Sequence, residues 1–126
     1  MALKFYKCEH CGNIALKPYD KGVPLVCCGE RMTELTANTV DAAVEKHVPV
    51  VTVDGASVHV AVGEVAHPMT EEHLIAFVVL VTEKGYQVAQ LTASDEPKAD
   101  FAVAAGDKPL KVYEYCNLHG LWVASI

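Results

Sequence analysis

Four cysteines within twenty-one residues, Cys8, Cys11, Cys27 and Cys28, decide what the start of this chain can become. The same stretch is broken by Gly12, Pro18, Gly22, Pro24 and Gly29, so only short strands fit, at Lys4-Phe5-Tyr6-Lys7, Ile14-Ala15-Leu16 and Leu25-Val26. Residues 1–36 cannot bury enough apolar surface to fold alone, because units below roughly 40 residues need a metal, disulfides or a partner. The opening Met1–Lys7 lacks the apolar run and cleavage site of a secretory leader, so a cytoplasmic setting is expected, where thiols stay reduced. A metal knot is the natural reading, with a disulfide pair well behind it. Cys8-x2-Cys11 brings two thiolates onto one ion. Neighbours on a strand point to opposite faces, so chelation by both Cys27 and Cys28 forces a local twist. Tetrahedral four-sulfur sites hold zinc or iron, and spacing does not choose between them. His10, between the first two cysteines, is expected to face solvent.

Beyond Asn38 the pattern is β. Thr39 to Lys46 reads as a short helical turn with Asp41 near its start, and Pro49 then biases the chain towards extended structure. Val50-Val51-Thr52-Val53 meets Asp54-Gly55, a strong hairpin signal. On the return strand Val58, Val60 and Val62 share one face, and Ser57, His59 and Ala61 the other. A strand over His73–Val81 turns at Lys84-Gly85 into Tyr86–Ala89, and further strands are expected near Asp100–Ala104 and Leu110–Tyr115. About seven strands in this stretch fit an immunoglobulin-like β-sandwich over residues 37–126. The fold class is therefore mainly β, a small metal-knot domain followed by a sandwich. The longest apolar run, Leu74–Val81, is too short to span a bilayer. A formal net charge of −6 without any basic run argues against nucleic acid as a partner. That acidity also repels anionic substrates, so a local cation would have to win within the ~8 Å screening length.

A second donor set lies in the sandwich: His47, His67 and His73, closed by Cys116-x2-His119. Each histidine alone is weak evidence, and His59 reads as a surface residue. Together the three fall at strand edges or loops, and the Cys116–His119 pair in a turn can present sulfur and imidazole to one ion. The plainer reading of that pair is a buried thiol beside an incidental histidine. Five donors exceed a closed tetrahedral zinc site, and the excess points to iron.

These residues resemble a known family. The Cys8-Cys11-Cys27-Cys28 pattern is similar to desulforedoxin. Glu45-Lys46-His47-Val48-Pro49, Ala66-His67-Pro68-Met69 with His73, and Tyr115-Cys116-Asn117-Leu118-His119-Gly120-Leu121-Trp122 resemble the two-iron superoxide reductases called desulfoferrodoxins. The resemblance covers essentially the whole chain, and no ligand is missing. It implies a desulforedoxin-like domain over residues 1–36 with Fe(Cys)4, and a catalytic domain over 37–126. There His47, His67, His73 and His119 would be equatorial ligands and Cys116 the axial thiolate, with the sixth position open. The implied reaction is one-electron reduction of superoxide to hydrogen peroxide, with rubredoxin or a similar protein as electron donor and a homodimer as the assembly. Lys46, by itself an ordinary exposed lysine, would attract the anion towards the open position. Glu45 would serve as a sixth ligand to the oxidised ion.

Two rivals remain at this level. One is a non-catalytic, rubredoxin-like electron carrier whose working centre is the four-cysteine iron. The other is an interaction module with a zinc knot. Both leave the fifth donor of the second set without a purpose.

Overall fold

The computed structural model describes residues 3–40 and 42–126, in two compact units, Met1–Thr36 and Ala37–Ile126. In the first unit β1 (Phe5–Lys7) lies between β2 (Ile14–Leu16) and β5 (Thr33–Glu34), with Tyr6 opposite both Ala15 and Glu34. A separate hairpin joins β3 (Val26–Cys27) to β4 (Glu30–Arg31). Phe5 and Cys8 are the buried hydrophobic side chains among the described residues here. Burying one such ring contributes about 1.5–3 kcal/mol, against roughly 1–2 kcal/mol of backbone entropy for every residue ordered. Packing alone does not hold this unit.

The second unit is a sandwich of antiparallel sheets. One has the order β10-β7-β6, the other β12-β11-β8-β9. The strands are β6 (Pro49–Asp54), β7 (Ser57–Val62), β8 (Ile75–Thr82), β9 (Gly85–Gln90), β10 (Lys98–Ala102), β11 (Pro109–Cys116) and β12 (Gly120–Ser125). Alternation works as expected: Val58, Val60 and Val62 are buried and pack with Val78, Leu80, Phe101, Val112 and Cys116. His59 lies on the opposite face, bonded to Asp100 at 2.6 Å.

Three expectations shift. The helix is a single turn, α1 (Val44–His47), because Thr39 and Val40 do not coil. Asn38 instead lies beside β12: its backbone N–H donates to Leu121 O, its amide donates to Val123 O, and its side-chain oxygen accepts from Val123 N. Asp41, expected near the start of that turn, lies outside the described residues. The β6–β7 reversal centres on Gly55-Ala56, since Asp54 already pairs with Ser57. Strand β10 starts at Lys98, two residues before its expected start. No helix among the described residues is long and apolar enough to cross a membrane.

Register decides where the donors meet. Pro49 faces Val62, and Cys116 faces both Ile75 and Gly120, so α1, the β7–β8 loop and the β11–β12 turn share one end of the sandwich.

Candidate metal centres

Cys8, Cys11, Cys27 and Cys28 converge with their donor atoms within 4.8 Å of one another, all as free thiols. Adjacent cysteines manage this because the β3–β4 hairpin reverses at Cys28-Gly29, with φ of 52° and 78°. Left-handed backbone at a non-glycine residue is uncommon, and here it swings Cys28 back towards Cys27. Cys11 Sγ lies 3.6 Å from Cys27 Sγ, and Cys27 Sγ 4.0 Å from Cys28 Sγ. A tetrahedron of ~2.3 Å metal–sulfur bonds has edges of about 3.8 Å, so the spacing fits. The thiols also compete for charge. The Cys11 backbone N–H draws Cys8 down to about 6, whereas hydrogen bonding with the Cys8 and Cys11 sulfurs pushes Cys28 up to about 12. A cation at the centre removes that conflict. His10 is exposed and meets Glu30 at 3.1 Å.

The second cluster gathers His47, His67, His73, Cys116 and His119 within the same 4.8 Å limit. Four ring pairs close into a cycle: His47–His67 at 4.8 Å, His67–His73 at 4.6 Å, His73–His119 at 5.1 Å and His119–His47 at 4.9 Å. The imidazoles thus surround a centre as a square rather than a tetrahedron. Carbonyls behind two rings set their tautomers. His47 Nδ1–H donates to Ala43 O, and His67 Nδ1–H to Pro68 O, each at 2.7 Å. Both Nε2 atoms are then bare lone pairs, and they face each other at 3.2 Å. Burial holds His47, His67 and His73 below the ordinary histidine range, His67 at about 4, so protonation does not relieve the repulsion. The buried His73 Nε2 has no hydrogen-bond partner among the described residues. Bare nitrogens aimed at one point are what a metal ion satisfies.

Sulfur completes the set. Cys116 Sγ is 4.0 Å from His119 Nδ1 and fully buried. Burial raises its thiol, while the Leu118 and His119 backbone N–H groups donate to the sulfur and favour thiolate. The plainer reading of a buried thiol beside an incidental histidine does not fit five converging donors.

A desulfoferrodoxin family model matches residues 39–125. The chain belongs to the desulfoferrodoxin family. It is 49% identical over 120 residues to the desulfoferrodoxin of Syntrophotalea carbinolica, covering 95% of this chain and 94% of that one. The superoxide reductase of Pyrococcus horikoshii is 38% identical over 108 residues, 72% of this chain and 94% of its own. Among solved structures, the superoxide reductase of Treponema pallidum superposes with a TM-score of 0.84 at 43% identity, covering 98% of this chain and 99% of that one. As a desulfoferrodoxin, the chain takes two irons, one on each donor set.

Several residues that hold this desulfoferrodoxin site carry no ligand signature. Trp122 stacks on His47 at 5.0 Å and donates its indole N–H to His119 O at 3.1 Å, tying two ligands together. Asn117 accepts from Leu74 N and donates to Glu72 O, stapling the β11–β12 turn to the loop before β8. Glu114 is wholly buried, with neither carboxylate oxygen partnered among the described residues, and burial pushes it up to about 9. Its signal was available: Val112-x-Glu114-x-Cys116 puts an acid on the core face of β11. Glu45 is exposed and lines an open depression with Val44, Val48, Pro49, Val50 and Glu64, while Lys46 is half-buried. The Lys46 ammonium disfavours protonation of both His47 and His73, which sets its charge near two ligands.

Proposed function

We propose that this chain is a superoxide reductase, reducing superoxide by one electron to hydrogen peroxide at the His47, His67, His73, His119 and Cys116 centre. The observation that carries this reading is the square of four neutral imidazoles with a single cysteine sulfur as fifth donor. When bound, ferrous iron supplies the electron and a coordination position for the oxygen anion. The chain's own residues do the rest. Four neutral imidazoles and one thiolate leave a net site charge of about +1, which favours an anion. Burial raises the Cys116 thiol, the Leu118 and His119 backbone N–H groups offset part of that cost, and a bound cation would supply the rest of the stabilisation of the thiolate. Cys116 would hold the iron as its one sulfur ligand, beside the four imidazoles.

Lys46 counters the overall charge of −6. An ammonium placed about 5 Å from the incoming anion would contribute roughly 0.8 kcal/mol at water-like dielectric, about a fourfold gain in local concentration. Glu45, one residue away, would supply a carboxylate to balance the added charge of an oxidised ion. Residues 1–36 form the Fe(Cys)4 domain, relaying electrons from a rubredoxin-type donor or holding its own fold, and residues 37–126 form the catalytic domain. The protein works as a cytoplasmic homodimer.

Stopped-flow mixing of the reduced, iron-loaded protein with superoxide tests this reading. Oxidation of the second centre with one peroxide formed per superoxide is expected. A reduced protein that ignores superoxide would point to the electron-carrier alternative.

A further inference from the structure

Gly63, directly after β7, is buried and has φ +81°. A Cβ at this position would lie 2.6 Å from Glu45 O and equally close to both the carbon and the oxygen of the Lys46 carbonyl. Those are backbone atoms, which cannot swing aside like the end of a flexible side chain. Gly12, Gly22, Gly29 and Gly55 also have positive φ, but a Cβ there meets nothing within 4 Å. At those sites the turn alone requires glycine. At Gly63 a close approach requires it as well.

The segment pressed against Gly63 is anchored at its far end by His47, which donates to Ala43 O and stacks on Trp122, but Glu45 and Lys46 precede that anchor. The helix α1 spans four residues, lacks a side-chain cap at Ala43, and shows the bonds Val48 N to Val44 O and Lys46 N to Ala43 O. Nucleating a single helical turn is unfavourable, so contacts from outside must set its position. The turn after β7 supplies two of them: Gly63 N donates to Val48 O at 3.2 Å, and Val65 N to Glu45 O at 2.9 Å.

We propose that Gly63 is a positioning residue for superoxide reduction: its missing side chain lets the 63–65 turn clamp the Glu45–Lys46 backbone and so fixes where the Lys46 ammonium and Glu45 carboxylate stand beside His47. This inference rests on the functional reading above and adds a residue that neither touches substrate nor binds metal.

The test compares Gly63→Ala with Gly55→Ala in the iron-loaded full chain, because both place alanine at positive φ and only the first collides. Two quantities are read: the rate constant with superoxide across ionic strengths, and hydrogen exchange in segments 43–48 and 62–66. For Gly63→Ala the rate should fall about two- to fourfold, within the loss that removing the Lys46 charge outright would cause. Its salt dependence should flatten, and both segments should exchange faster. Gly55→Ala should keep the parent rate, salt slope and exchange in those segments. Parent-like rate, slope and exchange in Gly63→Ala would overturn the proposal, as would equal losses in Gly55→Ala. If Gly63→Ala does not fold, Val65→Pro removes the donor to Glu45 O without adding a Cβ against Lys46. Unchanged exchange over 43–48 with an unchanged salt slope in that variant would overturn it too. Should the parent protein not react with superoxide, the functional reading fails, while the exchange arm still judges the clamp.

Discussion

The metal-free second unit, residues 37–126, should be most stable near pH 6.5, because two groups of its side chains titrate with opposite signs. Glu114 is held up to about 9 by burial, whereas a carboxyl in the unfolded chain ionises near 4.5. Between those values the folded state keeps a proton that the unfolded state has released. Stability therefore falls as pH rises, by about 1.4 kcal/mol per pH unit for one such group. His47, His67 and His73 act in reverse. Burial lowers all three, His67 to about 4 against 6.5 in the unfolded chain. Above 6.5 they are neutral in both states and contribute no slope. Below it the unfolded chain takes up protons that the folded state refuses, and stability drops as pH falls. Below 6.5 the three histidines together outweigh the one glutamate, so net stability falls as the pH falls. Asp20 and Asp107, held below the usual carboxylate range, lose their contribution only at lower pH and do not blur this window. Urea unfolding followed by emission of Trp122, the one tryptophan of the chain, measures the second unit directly. Glu114→Gln should flatten the alkaline limb from 6.5 to 8.5 and steepen the acid limb, where Glu114 otherwise opposes the histidines. Stability that climbs steadily from pH 5 to 8.5 in the parent protein would refute the assignment of opposed buried groups.

Other outcomes follow from the same geometry. Lys46→Ala should lower the bimolecular rate with superoxide about three- to fivefold, the loss of one short-range attraction in water, and flatten its dependence on ionic strength; an unchanged rate removes Lys46 from the mechanism. Cys116→Ser should abolish the sulfur-to-iron charge-transfer band of the oxidised protein, and its survival would displace Cys116 from the ligand set. Cys11→Ser should empty the first centre and lower the thermal stability of residues 1–36, while reduced second centre still consumes superoxide in a single turnover. Loss of that single turnover would instead make the first iron necessary to the chemistry.

Much of the site was legible because metal ligands demand particular residue types. All nine donors, from Cys8 to His119, sit in the two clusters where their spacing suggested. Strand β7 was equally readable, since strict alternation of Val58, Val60 and Val62 reports which face is buried. Less was visible where partners are distant in sequence. Strand β12 hid behind the ligand turn that precedes it, and it pairs with β11 and with Asn38, eighty-five residues from Val123. Those bonds hold Asn38 in a left-handed turn, with φ of 61°, so the segment around it does not coil into α1. Cys28 shows a third limit: adjacent thiols implied a twist, but only the hairpin backbone reveals a left-handed residue as its source. Gly63 carries no ligand signature, because the atoms that exclude its Cβ belong to Glu45 and Lys46.

A crystal structure of the iron-loaded protein, with anomalous scattering recorded at the iron edge, tests the central claim most directly. Two iron peaks are expected per chain, one among Cys8, Cys11, Cys27 and Cys28, the other coordinated at once by His47, His67, His73, His119 and Cys116. A second peak that excludes Cys116, or a histidine cluster without iron in fully loaded protein, would contradict it.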